Sequence, residues 1–192
     1  MSDSVTCSCP IEDRKIPALL LDNLLRRLFR RPDRFLAKHL SSGQIAADLG
    51  SSSGFFSLPM AKIVGASGRV HAVDFDPRAI ARLKEKAARH GLDSIIDAQT
   101  SSAAEIDFIE DGSVDFVLAE GLICCMKDHD GVVREIKRIL KPAGRAHLGV
   151  IKFARAGDPR GVSKEEWARI LGGFRLFESG ENALTRWALV GI

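Results

Sequence analysis

Two carboxylates and a run of small residues carry the first chemistry in this sequence. In Ile45-Ala46-Ala47-Asp48-Leu49-Gly50-Ser51-Ser52-Ser53-Gly54-Phe55-Phe56-Ser57, an apolar strand runs into a turn of glycines and serines that opens a helix. Small residues let backbone approach a ligand closely, and a helix N-terminus offers N–H groups with a positive field. Asp74 closes the next strand, 24 residues after Gly50. That is the reach at which a carboxylate meets ribose hydroxyls in dinucleotide-type folds. Asp48, before the first glycine, is a second acid outside the usual nicotinamide pattern, and an ammonium group on the ligand accounts for it.

A second group follows a later strand, in Glu120-Gly121-Leu122-Ile123-Cys124-Cys125-Met126-Lys127-Asp128-His129. Ligands of open α/β sheets bind outside the carboxyl ends of the strands, so Glu120, Cys124, Cys125 and His129 are the candidate catalytic residues. Glu120 stands directly at the strand end. Asp128 and His129 read either as an acid/base pair or as residues capping the helix that follows. The two thiols read either as small buried side chains or as a grip for a soft electrophile such as arsenite, with Cys7 and Cys9 supplying more sulfur. Neither Cys7-x-Cys9 nor Cys124-Cys125 has the spacing of a four-thiolate zinc site, and no resident metal is expected. His71 and His147, inside strands, read as core or face residues.

The elements that must position these groups alternate in kind. Runs of β-branched and apolar residues occupy Gln44–Leu49, Arg69–Phe75, Ser94–Ala98, Val114–Ala119 and Arg145–Ile151. Between them lie helix-period stretches at Phe55–Val64, Pro77–His90 and Asp130–Leu140. In Pro77–His90, Ile80, Leu83, Ala87 and Ala88 recur three and four apart, with Pro in the first turn and Gly91 beyond the end. Strand–helix alternation with nearly continuous apolar strands predicts an α/β, doubly wound, mostly parallel sheet covered on both faces. A helix at Ser163–Leu171, with Ser163 and Glu166 in capping-box spacing, leads into Phe174–Phe177 and Ala183–Val190. The Glu178–Asn182 turn between these two runs makes them an antiparallel hairpin. Residues 1–40 read as an N-terminal helical extension, with helices near Ala18–Phe29 and Asp33–His39, and residues 41–192 as the ligand-binding domain.

Composition bounds the remaining classes. The chain has 192 residues, 45% hydrophobic and 28% charged, which suits one ordered domain and excludes wholesale disorder. A net charge of +3 gives no nucleic-acid signature by itself, and the absence of Tyr weakens a base-stacking surface. No apolar run is long enough to span a bilayer. The first residues lack a basic and an apolar region, and four cysteines without a secretory signal read as reduced thiols, so the expected setting is the cytoplasm. The segment Asp22–Lys38 holds six basic residues against two acidic ones beside Leu24, Leu25, Leu28 and Phe29. It reads as a solvated helix face, as a lid over the site, which is the favoured of the functional readings, or as a contact for an anionic lipid or RNA.

Taken together, these strings resemble the class I methyltransferases that use S-adenosylmethionine (SAM), from about Ile45 to Ile192. Asp48-Leu49-Gly50-x-x-x-Gly54 is similar to the family's first motif, and Val70-His71-Ala72-Val73-Asp74 to its second. Asp111-Gly112-Ser113-Val114-Asp115-Phe116-Val117 is similar to the acidic lead-in to strand four, and Arg134–Gly144 to the helix and turn before strand five. Leu21–Leu28, Pro32–Leu36, Gly54–Lys62 and Val162–Glu166 resemble a group of small, mostly uncharacterised bacterial and archaeal members. The resemblance implies a Rossmann-like seven-stranded sheet and SAM as cofactor, with S-adenosylhomocysteine (SAH) as product. It implies cofactor contacts from Asp48, Gly50, Ser51, Ser52, Ser53, Gly54, Asp74, Phe75, Ser102, Ala103 and Glu120. Ser52 stands where the family has a further glycine, Ser102 where it often has an acid, and Cys124-Cys125 where relatives often have a His–Glu pair. The implied reaction is methyl transfer to a small-molecule acceptor, by a monomer or homodimer. The alternatives are a non-catalytic SAM-binding protein, an arsenite or thiol methyltransferase using Cys124 and Cys125, and a nicotinamide oxidoreductase, which Asp48 and the Arg134–Gly144 string oppose.

Overall fold

The structure is a computed structural model and describes Asp13, residues 32–152, Asp158 and residues 160–192. The expected helix at Ala18–Phe29, Cys7, Cys9 and most of the basic segment Asp22–Lys38 lie outside the described residues. The described strands are β1 Ile45–Leu49, β2 Arg69–Asp74, β3 Ile96–Thr100, β4 Val114–Glu120, β5 Leu140–Ile151, β6 Arg175–Glu181 and β7 Thr185–Gly191. The helices are α1 Pro32–Leu36, α2 Ser57–Val64, α3 Pro77–Arg89, α4 His129–Ile139 and α5 Lys164–Leu171.

All seven strands join one sheet in the order β3-β2-β1-β4-β5-β7-β6. β1 to β5 run parallel, and β7 lies antiparallel between β5 and β6. The chain reverses its direction of winding between β1 and β4, which makes the ends of those two strands the switch point where such sheets bind ligands. Period-2 alternation in β4 explains why both faces are covered. Phe116 and Leu118 enter a core with Leu36, Met60 and Leu83 beneath α1, α2 and α3. Val117 and Ala119 enter the opposite core with Ile136, Ile139, Trp167 and Ile170 beneath α4 and α5.

Local chemistry sets the helix starts. Asp76 caps α3 by accepting from the Arg78 N–H at 3.0 Å, with Pro77 at the first position. Asp128 caps α4 by accepting from the Gly131 N–H at 2.7 Å. Ser163 caps α5 by accepting from the Glu166 N–H at 3.1 Å. The Glu166 carboxylate does not complete the expected box, because His129 and Arg169 hold it.

Boundaries moved at several elements, and α1 runs Pro32–Leu36 and stops short of the expected His39. β3 begins at Ile96 because a turn from Leu92 to Ile95 precedes it. α2 begins at Ser57 rather than Phe55. β5 begins at Leu140 rather than Arg145, with a register shift opposite Val114 and Phe116 that admits Pro142 into a strand. The hairpin turns after Asn182, whose side-chain oxygen accepts from the N–H groups of Leu184 and Thr185 at 2.8 and 2.9 Å. Gly180 instead lies within β6, where a Cβ would come within 2.8 Å of the Trp187 ring.

Candidate functional site

The glycine–serine turn after β1 is anchored on both sides. The N–H groups of Gly50 and Ser51 donate to Val73 O at 2.8 and 3.0 Å, which ties the turn to β2. Gly50 and Gly54 have φ of +79° and +87°. At Gly54 an added Cβ would also lie 2.4 Å from Leu83 Cδ1, so only glycine lets α3 pack this closely. Ser52 has φ +48°, and among the described residues no other non-glycine has positive φ. It therefore occupies a glycine's conformation at the position where the resemblance sets a glycine. Lys86 on α3 fastens the far side, donating to Ser53 O and Oγ at 3.0 and 3.1 Å.

Asp74 faces this turn. Its Oδ2 accepts from the Ser52 N–H at 2.8 Å and its Oδ1 from the Asp76 N–H at 2.9 Å. Burial raises its pKa above the ordinary carboxylate value, against the opposing pull of the Asp76 and Ser52 N–H groups. Each oxygen keeps acceptor capacity for a further donor. Asp48 is buried, and its Oδ2 accepts from the Ser57 hydroxyl at 2.5 Å. Ser51 Oγ, also buried, has no hydrogen-bond partner. The Ser101 N–H donates to Asp74 O at 3.1 Å, which brings Ser102 and Ala103 beside Asp74 and Phe75. Ser102 Oγ accepts from the Ala104 N–H at 3.2 Å. The expected cofactor residues are thus brought to the carboxyl end of the sheet, where the buried Asp48, the half-buried Asp74 and the orphaned Ser51 hydroxyl lie on neighbouring loops.

β4 brings Glu120 to the same end. The register Asp48↔Leu118 sets the carboxyl ends of β1 and β4 side by side, so the turn that starts at Gly50 and the strand end at Glu120 leave the sheet at the same side. Glu120 Oε2 lies 3.3 Å from His147 Nε2. The carboxylate occupies space that Gly149 leaves open, since a Cβ there would come within 1.8 Å of Oε2. Both side chains border a cavity of about 440 Å³ whose wall includes Phe35, His39, Phe56 and Trp187. His147 is buried, stacks on Trp187 at 5.7 Å and 18°, and meets the edge of Phe35 at 4.7 Å and 73°. No local feature of the sequence marks this contact, because a histidine in an apolar strand reads as core. The parallel register Glu120↔Gly149, one strand over, is the feature that exposes it.

The other candidates are placed elsewhere. Cys124 and Cys125 belong to the 3-10 turn Ile123–Cys125, packed in the core with residues of α4, and both thiols lie within 3.5 Å of Gly121 O. His129 is buried and pairs through Nδ1 with Glu166 Oε1 at 2.6 Å, rather than with Asp128. It borders a separate cleft with Asp158 and Arg169 and is not in the wall of the Glu120 cavity. Arg169 first, and His129 after it, lower the Glu166 pKa to about 2. His71 pairs with Asp97 at 3.3 Å on the β2–β3 pair. No described helix is long and apolar enough to cross a membrane.

Comparison with known proteins agrees with this geometry. The Methyltransferase domain family matches residues 47–148, more than half of the chain. The chain is 30% identical over 158 residues to an arsenite methyltransferase of Aquipseudomonas alcaligenes, which covers 79% of the chain and 45% of that protein. It is 28% identical over 138 residues to a demethylmenaquinone methyltransferase of Lactobacillus johnsonii, covering 72% of the chain and 53% of that protein. The chain therefore spans about half the length of these relatives. A SAM-dependent methyltransferase structure from Aquifex aeolicus superposes with a TM-score of 0.78 at 24% identity, covering 90% of this chain and 95% of that one. The chain belongs to the methyltransferase-domain family and has the fold of the class I SAM-dependent enzymes.

Proposed function

We propose that this chain transfers a methyl group from SAM to a small-molecule acceptor bound in the cavity beside Glu120. The observation that carries this reading is the parallel register Asp48↔Leu118 between β1 and β4, whose carboxyl ends lead into the Gly50–Gly54 turn on one strand and Glu120 with its walled cavity on the other. The orphaned Ser51 hydroxyl and the positive-φ cradle of Gly50, Ser52 and Gly54 fit the group. The turn residues and Asp48 would hold its methionine end, Asp74 its ribose, and Phe75, Ser102 and Ala103 its adenine. When bound, SAM supplies an electrophilic methyl carbon on a sulfonium. The chain's own part is to orient the acceptor, to exclude water and to take up a proton where the acceptor arrives protonated. Glu120 with His147 is the pair suited to that last step. Two neighbouring cysteines kept as thiols support a reducing, cytoplasmic setting.

Incubation with radiolabelled SAM and a panel of phenols, amines, thiols and metalloids tests the reading by product formation. Turnover of a panel member supports it. Cofactor binding with no turnover on any acceptor contradicts it and favours a non-catalytic SAM-binding protein.

A second reading rests on the two thiols held near one carbonyl oxygen directly after β4, in a chain with arsenite methyltransferase relatives. In that reading Cys124 and Cys125 grip arsenite. Serine at both positions then abolishes arsenite methylation and leaves SAM affinity intact, whereas arsenite left unmethylated by the wild type overturns it.

A further inference from the structure

We propose that the acceptor is a flat, uncharged aromatic molecule carrying a ring hydroxyl, received among the rings of the cavity beside Glu120. This rests on the methyltransferase reading above and names its substrate class.

The wall argues for a flat guest. Phe35, His39, Phe56, His147 and Trp187 are nearly half of the residues around a cavity of about 440 Å³, a size within the range of small-molecule sites. These rings are held in place before any guest arrives. His147 lies between the Trp187 face and the Phe35 edge, and His39 meets Phe35 at 5.2 Å while stacking on Phe116 at 5.7 Å and 1°. Gly180 leaves the space that the Trp187 indole occupies. Preset rings favour offset stacks and edge contacts with another ring at little ordering cost. Phe56 stands two residues beyond Gly54, so one wall is continuous with the cofactor-type turn.

Charge argues for an uncharged guest. The formally charged residues in the wall are Lys38 and Arg186 against Glu120 and Glu178, which balance. Arg186 is already paired with Glu181 at 3.1 Å, and Glu120 with His147. His39 is held below its ordinary pKa by burial first and by His147 next, so it presents a neutral ring. With the wall charges balanced, neither a carboxylate nor a cationic guest gains a net attraction that offsets its desolvation, and a protonated amine offers no nucleophilic lone pair.

The Glu120–His147 pair argues for the hydroxyl. An aryl hydroxyl is acidic enough to release its proton as the new bond forms, whereas a saturated alcohol is not. The oxygen lone pair forms the C–O bond and the electrons of the methyl–sulfur bond return to sulfur. The proton passes to the Glu120–His147 pair and then to water. The products are an aryl methyl ether, SAH and one proton.

The test uses the full chain with 2-naphthol as probe, and with decahydro-2-naphthol and 2-naphthylmethylamine as saturated and cationic controls. Calorimetry on protein saturated with SAH should give 2-naphthol roughly tenfold tighter binding than either control. Added SAM should yield 2-methoxynaphthalene. Trp187→Ala should weaken 2-naphthol by roughly tenfold while SAH affinity is unchanged, and Trp187→Phe should restore most of it. If Trp187→Ala does not fold, Phe35→Leu carries the same expectation. Equal or tighter binding of either control, or 2-naphthol binding indifferent to these variants, overturns the inference. Intact SAH binding with no 2-naphthol binding overturns it alone, whereas loss of SAH binding by the wild type overturns the methyltransferase reading with it.

Discussion

Glu120 closes β4 with its carboxylate 3.3 Å from Nε2 of His147 on β5, over the space left by Gly149. Two parallel neighbours thereby deliver an acid and a base to the same end of the sheet that carries the Gly50–Gly54 turn. If this pair takes up the acceptor's proton, Glu120→Gln keeps the shape and removes the charge. It should lower kcat by about 10²-fold or more with little change in KM. Steady-state kinetics on any acceptor found by the panel would check this, and an unchanged kcat would remove Glu120 from proton transfer.

Gly149 provides a steric version of the same test. Its Cβ would come within 1.8 Å of Glu120 Oε2, so Gly149→Ala must push the carboxylate off His147. The expected cost is about 1–3 kcal/mol of stability, typical of overpacking, together with a fall in kcat similar to that of Glu120→Gln. Thermal melts and kinetics on the one variant read both effects.

Ser52 holds a left-handed φ of +48° that the resemblance reserves for glycine. Its N–H bond to Asp74 at 2.8 Å helps to keep it there. Ser52→Gly should therefore be at least as stable as the wild type. Ser52→Val, branched at Cβ, should lose about 1–2 kcal/mol, and its SAH affinity should fall with it. Equal melting temperatures for Gly and Val would mean that the turn relaxes out of this conformation.

The link between α4 and α5 predicts acid sensitivity. Glu166 has a pKa lowered from 4.5 to about 2, by Arg169 first and then by His129. A depressed carboxylate contributes stability that is present above its unfolded value and lost as pH falls through its folded one. Stability from this group should thus decline between about pH 4.5 and pH 2. Arg169 is half exposed, so salt should weaken the effect. Glu166→Gln should flatten that part of the profile in a denaturation series against pH; an unaltered slope would assign the acid response to other carboxylates.

The sheet was legible because its central strands β1 and β4 are nearly continuous in apolar residues and its helices carry a clear 3.6-residue stripe. Ile80, Leu83 and Ala87 are buried on α3 as their spacing requires. The turn and Asp74 were legible because both lie within one strand–helix–strand unit. What escaped detection was long-range. His147 looked like core until the β4–β5 register placed it against Glu120. Glu166 has a capping-box spacing, yet its carboxylate serves His129, 37 residues earlier. Pro142 marked a helix end correctly but hid the early start of β5, because the register shift that admits it depends on the partner strand.

Calorimetric titration with SAH of the wild type and of Asp74→Ala tests the central claim most directly. The account predicts binding by the wild type and a loss of about 1.5–3 kcal/mol in the variant, the scale of a hydrogen bond to a charged group. A folded wild type that binds no SAH, or a variant that binds it equally well, would contradict the account.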